Sequence, residues 1–168
     1  MTAVQATALP AESAMLQLWR STDLADAYVV ALPSHASHDP ELLARFLFSQ
    51  QARWIRVLMA IRDAIVARIG LKTSRHFENA PGPRVGFFKI IEIRAQEIVL
   101  GEDDSHLDFR CSVLLRERTA SSQRTLILST VVHCHNRTGR FYLRVIAPFH
   151  RLIVQSILRR ASRKGWPR

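Results

Sequence analysis

Two histidines and a cysteine meet at His133, Cys134 and His135, the head of a stretch, HCHNRTGRFYLRVIAPFH, that closes on a third histidine, His150. Imidazoles and a thiol at that density raise three chemistries: metal ligation, general acid–base catalysis and the polar anchoring of a ligand. On a strand, positions two apart point to one side, so His133 and His135 share a face and Cys134 takes the other. Zinc needs three or four donors converging on one point, and only His106 or Asp108 from a neighbouring strand could complete the set. The pattern therefore carries no expectation of a metal, nor of any other cofactor.

The partner strand is LDFRCSVLL, in which Leu107, Phe109, Cys111, Val113 and Leu115 alternate with Asp108, Arg110 and Ser112. A hairpin that separates polar from apolar residues sets Asp108 and Arg110 beside His133 and His135. It gathers Leu126, Leu128, Val132 and Cys134 with the apolar set. A slip of one residue would put charges in the core, so segregation is expected. The loop TASSQ gives that parity only with a bulge.

Three readings of this group compete. It is a solvated or structural network, the polar wall of an otherwise apolar cavity, or an acid–base pair. In the cavity reading, Asp108, Arg110, His133 and His135 face the apolar stripe of the C-terminal helix near Tyr142 and Ile146. Asp108 supplies the counter-charge, and Trp54 adds an apolar wall. In the catalytic reading, Asp108, His133 and His135 form a cyclase-like or hydrolase-like centre. No Ser-His-Asp order, phosphate-cradling glycine loop or dinucleotide fingerprint accompanies them. The acidic run Glu102, Asp103 and Asp104 is expected to pair with arginines of the C-terminal helix.

The elements that must position these residues follow from period and punctuation. DAYVVALP reads as a first strand closed by Pro33. Asp39, Pro40 and Glu41 supply an N-cap, a first helical position and a first-turn acid for a short helix. A second helix spans ARWIRVLMAIRDAIVARIGLK, with Trp54, Val57, Leu58, Ile61, Ile65 and Ile69 on one stripe and Gly70 as its stop. After the loop TSRHFENAPGPRVG come four strands, GFFKIIEIR, EIVLGED, LDFRCSVLLRER and RTLILSTVVHCH, whose short connections require antiparallel neighbours. A long final helix puts Tyr142, Val145, Ile146, Phe149, Ile153 and Ile157 on one face, with a kink or break near Ala147 imposed by Pro148. The result is an α+β helix-grip arrangement: an antiparallel sheet wrapped on a long C-terminal helix, with two shorter helices after the first strand. Residues 1–22 are a weakly structured lead-in, 23–162 the helix-grip domain and 163–168 a basic tail.

Composition sets the outer bounds. A chain of 168 residues, 48% hydrophobic, buries one sizeable core. Its longest apolar runs are too short to span a membrane, the start lacks the pattern of a signal peptide, and a cytoplasmic protein is expected. Cys111 and Cys134, without a CxxC partner, are expected to be buried thiols. The net charge of +10 would suit a nucleic acid, but the arginines are scattered from Arg20 to Arg168, with one dense cluster at RRASRKGWPR, so nucleic acid and an anionic membrane are both disfavoured.

Three stretches, GEDDSHLDFRCSVL, TVVHCHNRTGRFYL and APFHRLIVQSILRRA, together with WIRVLMAIRDAIVARIGLK, resemble the bacterial family called domain of unknown function 2867. The similarity runs from about Tyr28 onward, with several motifs agreeing in order and spacing. One departure is Cys134, where that family often has a proline. The resemblance implies membership of the helix-grip superfamily of lipid-transfer, plant-allergen and polyketide-cyclase proteins. It also implies association with a nucleotide-binding reductase, a domain that such modules follow in other proteins. The resulting expectation is a non-enzymatic binding or accessory protein whose partner is a small apolar or amphipathic molecule. The cyclase-like or hydrolase-like enzyme is the alternative. A structural homo-oligomer without ligand, such as a homodimer, motivated by the apolar content of both faces of TLILSTVV, is the third.

Overall fold

Proline at position 40 has no N–H to lose at a helix start, and Asp39 caps the turn there: the Glu41 N–H donates to Asp39 Oδ1 at 2.8 Å. Helix α1 accordingly runs Pro40–Ser49. It sits within a computed structural model that describes residues 3–18, 21–49, 82–86, 88–117, 119 and 123–168. Around it are strands β1 (Gln5–Thr7), β2 (Leu24–Ala31), β3 (Arg84–Val85), β4 (Phe88–Ile93), β5 (Glu97–Asp103), β6 (Leu107–Arg116) and β7 (Thr125–Cys134), then helix α2 (Arg137–Lys164). The second helix expected from the sequence, with Trp54, lies outside the described residues.

The seven strands form one antiparallel sheet in the order β1-β2-β7-β6-β5-β4-β3. With the helices this is an α+β fold. β4 to β7 are a meander of sequence neighbours, and β2 closes onto β7 from far away in the chain. In the β6–β7 ladder Asp108 faces His133, Arg110 faces Val131 and Ser112 faces Ser129, without a register shift. The expected bulge is absent from this ladder because the strands stop earlier than TASSQ suggests. β6 ends at Arg116 and β7 begins opposite it at Thr125, and this spacing sets the parity.

Alternation then sorts the sheet into two faces. One carries Leu24, Tyr28, Val30, Cys111, Val113, Leu126, Leu128, Val132 and Cys134, and packs against α1 and α2. At about 100° per residue, Leu143, Val154, Ile157, Leu158 and Ala161 align on the buried side of α2. Val145 and Phe149, expected on that side, are exposed. α2 is apolar on two opposite sides over its first half, so period alone did not select the buried one. The helix also continues through Pro148, so of the kink or break expected near Ala147, the break does not occur.

The other face is covered by the chain's beginning. Leu9, Ala14 and Met15 pack on Val99 and Val131. Glu97 fastens this cover: its carboxylate accepts from the hydroxyls of Ser13 and Ser112, each at 2.5 Å, and from the Ala14 N–H at 2.9 Å. β1 adds an edge strand, pairing Gln5–Thr7 with Val29–Ala27. At the far end, Gly165 turns the chain with φ 88°, a conformation that suits glycine. Trp166 returns to the core, its ring 5.9 Å from that of Phe46, and Ser37 N–H donates to Pro167 O at 2.8 Å.

Candidate functional site

Asp108, Arg110, His133 and His135 share a side of the sheet, in keeping with segregation, but that side faces away from α2. Leu143 and Ala147 of α2 pack on Val132, Cys134, Leu107 and Phe109, which have the opposite parity. Tyr142 and Ile146 therefore lie across the sheet from the polar four, and the six do not surround one cavity. Trp54 lies outside the described residues. Asp108 pairs with His135, Nε2 to Oδ2 at 3.0 Å, and not with Arg110. The His133 ring stands edge-on to that of His135, centroids 5.3 Å apart, with Nδ1 3.1 Å from Ser21 O.

Arg110 reaches along its own face to Asp103 Oδ1 at 2.7 Å and donates to Phe109 O at 2.9 Å. That path exists because Gly101 sits opposite Arg110; a Cβ there would strike the Phe109 carbonyl oxygen and come 2.6 Å from Arg110 Cδ. Glu102 pairs with Arg84 at 3.1 Å. Glu102 and Asp103 thus meet arginines of the sheet and not those of α2. Among the described residues, no cluster of three or more His, Cys, Asp or Glu could hold a metal ion.

A different constellation occupies the interface between sheet and long helix. Asp26 is directly opposite Thr130, which is directly opposite Cys111, so the three form a row across β2, β7 and β6 on the core face. His150 descends from α2 at the centre of its buried side, in line with Leu143 and Val154, and its Nε2 lies 3.4 Å from Asp26 Oδ1. Arg151 Nε stands 4.0 Å from Oδ2. Both Asp26 carboxylate oxygens and His150 Nε2 are buried, and none makes a hydrogen bond. The 3.4 Å approach is close enough for attraction but not aligned for a bond.

The surroundings are apolar. The next row along the sheet is Leu24, Val132 and Phe109, with Ala147 above it. Beyond it Phe88 stands edge-on between Phe109, at 5.5 Å, and Phe48, at 5.1 Å. α2 is tightly buried at Leu143 and again from Val154, whereas Ile146, Ala147, His150 and Ile153 between them are only half-buried. The helix is held at both ends and loosest above Asp26.

Cys111 is no nucleophile here. Burial pushes its thiol up to about 12, the Asp26 charge adds to the rise, and a hydrogen bond with Thr130 opposes it. Burial raises Cys134 to about 11, with the Asp23 carboxylate contributing. Both stay protonated at neutral pH. What the row can do is offer a carboxylate acceptor and an imidazole inside an apolar setting. Sequence reasoning passed over Asp26 and His150, although each is an anomaly in its own period. Asp26 is a carboxylate in the inward set Leu24, Tyr28, Val30, and His150 is an imidazole between Leu143 and Val154.

These features define a class: an α+β domain with a seven-stranded antiparallel sheet, a long C-terminal helix packed on one face and a polar pair at their interface. The chain belongs to the family described as protein of unknown function (DUF2867), whose model matches residues 18–157. Neither the comparison with curated proteins nor that with solved structures found a match.

Proposed function

We propose that this domain binds a small, largely apolar molecule between sheet and α2, in a helix-grip arrangement, with Asp26 and His150 as the polar anchor. One observation carries the reading: a carboxylate and an imidazole nitrogen buried 3.4 Å apart without a hydrogen-bond partner. A buried polar group left unsatisfied costs about 1–3 kcal/mol, and more when charged. Such groups persist where something else supplies the missing bond. A ligand with one N–H or O–H donor satisfies Asp26 while its body lies along Leu24, Val132, Phe109 and Ala147.

The test uses N-phenyl-1-naphthylamine, an apolar fluorophore with a single N–H donor, titrated into the full chain. Saturable one-to-one binding is expected, weakened about tenfold or more in Asp26→Leu, since a hydrogen bond to a charged acceptor contributes roughly 1.5–3 kcal/mol. Non-saturable fluorescence, or equal affinity in the wild type, Asp26→Leu and His150→Phe, refutes the reading.

A further inference from the structure

The solvent side of α2 is unlike the exterior of an ordinary amphipathic helix. Phe141 is 68% exposed, Val145 47%, Phe149 44% and Leu152 57%. At about 100° per residue these positions fall within a quarter of the helix circumference, almost diametrically opposite the buried line. Uninterrupted passage through Pro148 keeps the stripe continuous. Isolated exposed apolar side chains need no explanation, but a contiguous row of four marks an interaction surface.

The charge around the stripe narrows the occupant. The α2 sequence contains eight basic residues and no acidic one. Arg137 and Arg144 flank the stripe, and Arg159 and Arg163 continue its line toward the C-terminus with Arg160 beside them; all are exposed. Leu152, Ser156, Arg159, Arg160 and Arg163 line a shallow depression where stripe and arginines meet. A second copy of α2 laid on this face would bring arginine against arginine, so self-pairing is disfavoured. The stretch 50–81, with six basic residues and two acidic, is no better matched in charge. Valine and leucine cannot stack on bases, so nucleic acid leaves half of the stripe unused.

We propose that α2 lies on an anionic lipid surface, with Phe141, Val145, Phe149 and Leu152 entering the acyl boundary and the arginines meeting headgroup phosphates. This is a surface-lying helix: among the described residues, no helix is long and apolar enough to cross a membrane. The inference is independent of the ligand reading, because the stripe and the Asp26–His150 pair occupy opposite sides of α2.

The experiment is co-sedimentation of the full chain with vesicles of phosphatidylcholine alone or with about 30 mol% phosphatidylglycerol, at low and high salt. Binding to the anionic vesicles is expected to be at least about tenfold tighter and to fall as salt rises. Phe141→Ser with Phe149→Ser, and separately Arg159→Gln with Arg163→Gln, should each weaken it by about tenfold or more. Equal binding to both vesicles, or none, overturns the proposal. So does a DNA duplex that binds more tightly than vesicles and ignores the phenylalanine changes. A melting temperature lowered by more than about 5 °C in the phenylalanine double variant also overturns it, since the stripe would then be packed within the chain.

Discussion

Two buried carboxylates, one on each face of the sheet, have opposite fates. Glu97, 2% exposed, accepts three hydrogen bonds from Ser13, Ala14 and Ser112, so its burial fastens the N-terminal cover to the sheet. Asp26, whose side chain is 12% exposed, accepts none, and among the described residues it meets the misaligned His150 at 3.4 Å and the more distant Arg151 at 4.0 Å. Burial alone does not separate a structural acid from a binding one; the donors around it do. Where the chain supplies every donor, removing the acid should harm folding. Where it supplies none, removal should harm only what the chain binds.

The largest effect is expected at Glu97→Ala, which strands two hydroxyls and an N–H under the N-terminal cover. A loss of about 3 kcal/mol should lower the melting temperature by roughly 6–12 °C in calorimetry. A drop under about 1 kcal/mol would mean that water replaces the carboxylate, and the contrast with Asp26 would collapse. Asp26→Leu should go the other way, gaining about 1 kcal/mol as a desolvated charge is exchanged for an apolar group of similar size. Urea denaturation reads that change, and a loss of stability would reveal a structural partner for Asp26. The smallest effect belongs to Asp108→Ala on the opposite face. Its ion pair with His135 is partly solvated, so the shift should stay within about 1 kcal/mol. A larger loss there would promote the histidine pair from surface network to structural centre.

Much of this architecture is legible in the chain. Asp39 and Pro40 announce α1, and the alternation in LDFRCSVLL with the inward set of β7 specifies a register that segregates Asp108 and Arg110 with the histidines. The side on which that group lies is not legible. Alternation states which residues share a face, but Val99, Val131, Leu114 and Ile127 make the second face apolar as well. Either face could have taken the helix. The cover that decides the matter is a short segment, Leu9 to Met15, with too few apolar positions to show a period. Trp166 was hidden for a similar reason: it follows Gly165 in a basic run and reads as tail, yet it completes the core beside Phe46. Asp26 and His150 were visible as residues and invisible as a pair, because the contact joins a strand to a helix far along the chain.

The pairing of β2 with β7 also orders events in time. The meander from β4 to β7 closes through short loops, so it can assemble as soon as its strands exist. β2 must instead wait to join Tyr28 to Leu128, a hundred positions further on. Closing so long a loop is entropically expensive before its contacts form and slows folding. Until β2 arrives, β7 is an unprotected edge bearing Leu126, Leu128 and Val132, a template for pairing with another nascent chain. Aggregation during expression should therefore track mutations that delay β2, even where they leave the native state's stability unchanged.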